Sequence, residues 1–184
     1  MQKMAISKSE YKLKQGVEKY LYLRRRLYET DVSVDADFQR AFNGFFRMRQ
    51  RSSEFYKDFF YYLELHKNTE VSFEDAITTF YEKFHRLEIS FTSKLVALAN
   101  PQKPIWDSVV TYGHFGIKAP SYGSGKRLEK AIARYYEYCG RYADYMKTAE
   151  AKALINQFNH IYENVEITDE KKVDFMLWVD RTKS

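Results

Sequence analysis

Phenylalanines recur at helical spacing through the first third of this chain, and that pattern limits the fold more than any other feature. Phe38, Phe42, Phe45 and Phe46 recur at steps compatible with one turn, and Phe55, Phe59 and Leu63 resume the pattern beyond Ser52-Ser53. A period near 3.6 residues gathers such side chains on one face that has to be buried against other helices. Only seven glycines and three prolines occur in 184 residues, which leaves few places for hairpins. No period-two strand pattern and no internal repeat compete with the helical one. The sequence therefore predicts an all-α domain of about seven to eight helices over residues 1–184, divisible into lobes 1–85 and 86–184.

Helix starts are marked by short polar residues. Ser7 and Glu10 match a capping box, with a helix from Lys8 to about Glu29. Asp35-Ala36-Asp37 and Ser72-Phe73-Glu74-Asp75 open two more, the latter ending near His85, and a break falls near Ser52-Ser53. Ser90 or Thr92 is expected to start a fourth helix that ends at Ala99-Asn100, and Asp107 or Ser108 a short fifth that stops between Gly113 and Gly116. Residues 118–126 form the clearest loop. Tyrosine-rich Arg127 to Lys147, then Ala149 to Tyr162, and a segment from Thr168-Asp169-Glu170 to Trp178 complete the helices.

Composition narrows the function classes. Apolar residues make up 45% of the chain, enough for a core, and 16 Tyr with 14 Phe supply rings for cores and wet interfaces alike. A formal charge of +5, with Arg24-Arg25-Arg26 and Arg47, Arg49, Arg51 clustered early, is compatible with a polyanionic partner. The lone Cys139 excludes an internal disulfide and fits a reducing compartment. The polar stretch from Met1 to Lys14 does not read as a signal peptide, and no stretch is apolar enough to span a membrane. A monomeric cytoplasmic protein is expected. His66, His85, His114 and His160 show no paired spacing, so neither a metal site nor a cofactor is expected. No serine sits in a strand-to-helix elbow.

The segment from Ser90 to Ser108 concentrates what chemistry the sequence offers. Pro101 and Pro104 restrict the residues before them and fix the place of Asp107 behind Pro104-Ile105-Trp106. Asp107 is either the cap of the following helix or a catalytic carboxylate, and Trp106 either core or a stacking platform. Ser90, Thr92 and Ser93 with Lys94 cluster hydroxyls and an ammonium where a helix starts, as an anion site or as ordinary capping. Upstream, Asn43, Arg47 and Arg51 are four residues apart and would share one helical stripe. That stripe either contacts phosphates and a base edge or is a solvated face paired to Glu54 or Asp58. Gly123-Ser124-Gly125-Lys126 is only superficially like a phosphate loop, since it lacks the spacing and follows no strand.

Taken together, Ser90 to Val110 resembles the active-site region of the helix-hairpin-helix DNA glycosylase superfamily. Ser90 to Ala99 matches the helix after the hairpin, and Pro104-Ile105-Trp106-Asp107-Ser108-Val109 matches the turn that carries the family aspartate. The pattern Phe42-Asn43-Gly44-Phe45-Phe46-Arg47-Met48-Arg49 upstream is similar to that of small bacterial proteins associated with the same superfamily. The hairpin segment Leu87-Glu88-Ile89-Ser90-Phe91 departs from the family pattern in having no glycine, and Phe91 falls near the lyase lysine position with Lys94 one turn later. The resemblance implies a monofunctional DNA glycosylase for a damaged or modified base, such as modified cytosine in foreign phage DNA. In that role Asp107 would be catalytic and Asn43, Arg47, Arg51, Trp106 and Tyr112 would line the base pocket. Ser90, Thr92, Ser93, Lys94, Lys126 and Arg127 would contact DNA. A non-catalytic DNA-binding scaffold and a helical protein-interaction module are the readings that compete with it.

Overall fold

A computed structural model describes residues 8–180, and among them the chain forms nine helices and no strand. They are α1 (Lys8–Glu29), α2 (Ala36–Phe45), α3 (Ser53–His66), α4 (Phe73–Phe84), α5 (Ile89–Ala99), α6 (Ser108–Gly113), α7 (Arg127–Met146), α8 (Ala149–Ile161) and α9 (Asp169–Asp180). The all-α expectation holds, with one helix more than the upper count expected. The Ser7 half of the proposed capping box lies outside the described residues.

Most helix starts follow their capping residues. Asp35, Ser52, Ser72, Asp107 and Thr148 each accept a backbone N–H of the first turn. Asp35 also bonds Arg26 at 2.8 Å, which ties α2 back to α1. Its carboxyl is held down at about 2, chiefly by the Phe38 N–H and then by Arg26 and Thr30.

Helix α5 departs from expectation. It begins at Ile89 and has no side-chain cap, because the carboxylate of Glu88 at the cap position is taken by Arg51. Arg51 grips Glu88 with two parallel bonds of 2.7 and 2.9 Å, and its guanidinium lies 4.6 Å from the Phe91 ring centre.

The Asn43–Arg47–Arg51 stripe does not form either. Helix α2 ends at Phe45, and the Met48 N–H bonds back to the Asn43 carbonyl at 2.9 Å. Arg47 adopts the left-handed conformation (φ +50°) where such a helix terminus usually has glycine. Two residues of stripe are thus turned out of the helix. Glu54 and Asp58, the expected partners, pair with Lys83 instead.

One continuous apolar core runs through the molecule and across residue 85. Helix α1 packs against α2, α5 and α9, while α4 packs against α3, α5 and α7. The phenylalanine stripe largely does what its period predicts: Phe38, Phe42, Phe59 and Leu63 are wholly buried and Phe46 and Phe55 nearly so, while Phe45 is half-buried. The tyrosines of α7 divide by face, with Tyr135, Tyr138 and Tyr142 buried and Tyr136 exposed.

Those buried tyrosines also govern a loop. Between α5 and α6 the chain must turn without regular bonds, and its buried carbonyls need partners. Tyr135 donates to the Pro104 carbonyl at 3.2 Å, and Tyr138 to the Ile105 carbonyl at 3.3 Å. Ser93 on α5 accepts the Trp106 N–H at 2.9 Å and donates to the Ser90 carbonyl at 3.0 Å. Three hydroxyls therefore fix the three residues before Asp107.

Candidate functional site

The helix termini leave a cleft of about 690 Å³ between α1, the α2–α3 connection, the start of α5, the Ile105–Val110 turn and α9. Seven cationic residues line it: Lys12 and Lys19 of α1, Arg47, Arg49 and Arg51, Lys94, and Lys171 of α9. Three carboxylates face them, Glu88, Asp107 and Asp174. Arg51 is spent on Glu88 and Lys171 on Asp174. Lys12, Lys19, Arg47 and Arg49 have no ion-pair partner among the described residues. A surplus of positive charge inside a concavity focuses potential and draws in polyanions.

Asp107 sits on the wall of this cleft and is only partly exposed. Its carboxylate accepts the Val109 N–H at 2.9 Å, and its carbonyl accepts the Thr111 N–H and hydroxyl at 2.7 and 2.8 Å. The cap and the cleft carboxylate are thus one residue, and the two readings of Asp107 do not exclude each other. Capping holds its side chain in one place, as a group acting on a bound ligand requires.

Lys94 shares the cleft with Asp107. Burial pushes its ammonium down to about 8, with the Asp107 charge opposing that fall and the Arg49 charge adding to it. A lysine so placed is charged at neutral pH yet close to becoming a neutral amine.

The other expected site residues separate into groups. Ser90, Arg47, Arg51 and Trp106 line the cleft, although Trp106 is 4% exposed and packs edge-on against Tyr138, so it acts as floor. Thr92 and Ser93 are buried, which removes them from direct contact with a macromolecule. The Thr92 hydroxyl and the Asn43 side-chain oxygen find no hydrogen-bond partner among the described residues. Asn43 and Tyr112 are not in the lining; Tyr112 is exposed and covered by Lys118, 4.4 Å from its ring centre. Lys126 and Arg127 also lie outside it, with Arg127 over the exposed Tyr122 ring.

The sequence reading missed one whole wall. Lys171, Asp174, Phe175 and Trp178 of α9 all line the cleft. Their spacing places them on one helical face, and that spacing was the available signal. Lys12, Gly16 and Lys19 on α1 follow the same rule. Among the described residues no group of His, Cys, Asp and Glu is placed to hold a metal, and no helix is long and apolar enough to cross a membrane.

Comparison with protein-family models, with curated proteins and with solved structures finds no match to this chain.

Proposed function

We propose that this chain is a DNA glycosylase that hydrolyses the N-glycosidic bond of a damaged or modified base. The observation that carries the reading is Asp107, a cap-fixed carboxylate on the wall of a cationic cleft large enough for a nucleotide. Lys12, Lys19, Arg47 and Arg49 suit the phosphates on either side of an extruded nucleotide. As the C–N bond lengthens, positive charge grows on the sugar. Asp107 stabilises that charge and orients the attacking water, and the base leaves with the bonding electron pair and takes up a proton.

The test is base release from duplex DNA carrying a panel of modified bases, read as alkali-labile abasic sites, for wild type and Asp107→Asn. Release by the wild type alone supports the reading. DNA binding without release on any substrate favours a non-catalytic DNA-binding scaffold, and no binding at low salt favours a protein-interaction module.

One observation favours a second activity. Lys94, with its lowered pKa, stands in the same cleft. A neutral amine there adds to the aldehyde carbon of an abasic sugar, and loss of the former carbonyl oxygen as water leaves an imine. Borohydride trapping of a protein–DNA adduct in wild type, absent in Lys94→Met, is the expected signature of such a lyase step. Its absence leaves the enzyme monofunctional.

A further inference from the structure

Helix α9 turns one face to the cleft, and its chemistry is specific. Asp174 lies on that face with its side chain 20% exposed, bonded at 2.6 Å to the Lys171 ammonium. Lys171 is itself 4% exposed and rests against three rings, 4.9 Å from the centre of Tyr20, 5.0 Å from Phe175 and 5.8 Å from Phe45. A cation held by rings on α1, α2 and α9 has little freedom, and it pins the carboxylate it bonds. One turn beyond Asp174, Trp178 adds a broad aromatic face to the same wall, with the Arg47 guanidinium 5.1 Å from its ring centre.

We infer that this face reads the base, and that it selects bases bearing an exocyclic amino group, the cytosine and adenine types, over their oxo counterparts. The inference rests on the glycosylase reading for the identity of the ligand and deepens it. An ionised carboxylate accepts hydrogen bonds and cannot donate one. An amino group at the pyrimidine 4-position or purine 6-position therefore satisfies Asp174, as a carboxylate accepts from cytosine N4 in groove readout. A carbonyl oxygen at the same position meets the carboxylate lone pairs, and Asp174 then loses its water without gaining a bond. Lys171 cannot swing out to serve that oxygen, because it is buried among the three rings and engaged by Asp174. Trp178 supplies the stacking face, which is indifferent to the amino–oxo distinction.

The experiment uses the full chain and duplexes in which the target is an uncleavable carbocyclic nucleotide placed in a mismatch. Cytosine is compared with uracil and adenine with hypoxanthine, by competition at fixed salt. The amino member of each pair binds about tenfold tighter to the wild type. Asp174→Asn keeps an acceptor for Lys171 and adds a donor, so it brings the ratio to near one. Trp178→Leu weakens both members equally, and Trp178→Phe restores most of the loss. Equal or tighter binding of the oxo members by wild type overturns the inference, and so does an unchanged ratio in a folded Asp174→Asn. Should that variant fail to fold, the wild-type ratio decides alone. Cleavable versions of the same duplexes separate the two claims. Selection without release retains the base-reading face and removes the glycosylase chemistry, while release without amino–oxo preference removes only the face.

Discussion

Asp107 and Lys94 face one cleft, and their charges make opposite demands on it. Replacing Asp107 by Asn keeps an acceptor for the Val109 N–H but removes the charge that would balance the developing sugar cation. Base release is expected to fall by about 10²–10³, the cost typical of losing one preorganised stabilising group. Filter binding should show DNA affinity unchanged or improved. Lys94 makes a prediction about stability. Its folded pKa of about 8 lies below the ordinary lysine value of 10.5, so between these limits the unfolded chain binds more protons. Stability therefore rises with pH across that window as the burial penalty is relieved. Lys94→Met removes the penalty, and near neutral pH it should raise unfolding free energy by about 1–3 kcal/mol. The gain should fade as the pH climbs above 8 towards 10.5, measured by urea melts at several pH values.

Helices and their junctions explain what could be read from the sequence. Ser52 marked only a break in the sequence and Thr148 was not singled out, but the caps at Asp35, Ser72 and Asp107 were legible because capping is a local bond between a side chain and its own next turn. The start of α5 was not, since its cap position is set by an ion pair with Arg51, 37 residues away in sequence. Ser93 looked like one more capping hydroxyl, yet its role is to hold the Trp106 N–H across the fold. Ser93→Ala leaves that buried N–H without an acceptor and should cost about 1–3 kcal/mol in chemical denaturation. The stripe through Asn43 failed because a helix period says nothing about where the helix stops. Arg47 occupies a left-handed position that costs a side-chain residue about 1 kcal/mol. Arg47→Gly relieves that strain and removes a cation, so thermal melting should hold while DNA affinity falls.

At the scale of the whole molecule, the cleft is assembled from chain segments that no window of sequence brings together. Lys12 and Lys19 near one end meet Lys171 and Trp178 near the other because α1 packs on α9. The all-helical class and the place of Asp107 were legible; the α9 wall needed the fold. Charge on these walls sets a measurable slope. If Lys12, Lys19, Arg47 and Arg49 each neutralise one phosphate, the logarithm of duplex affinity falls with the logarithm of salt at a slope of roughly −3 to −4. Reversing no charge but replacing Lys12 and Lys19 by Gln should make that slope shallower by about two, read from anisotropy titrations.

The Arg51–Glu88 fork joins the connection before α3 to the one before α5, so two irregular segments of the cleft wall are clamped before any ligand arrives. A mould braced in this way has little ordering left to do during encounter. Association should then run at the electrostatically guided rate for any duplex, and discrimination between bases should appear almost entirely in how long the complex lasts.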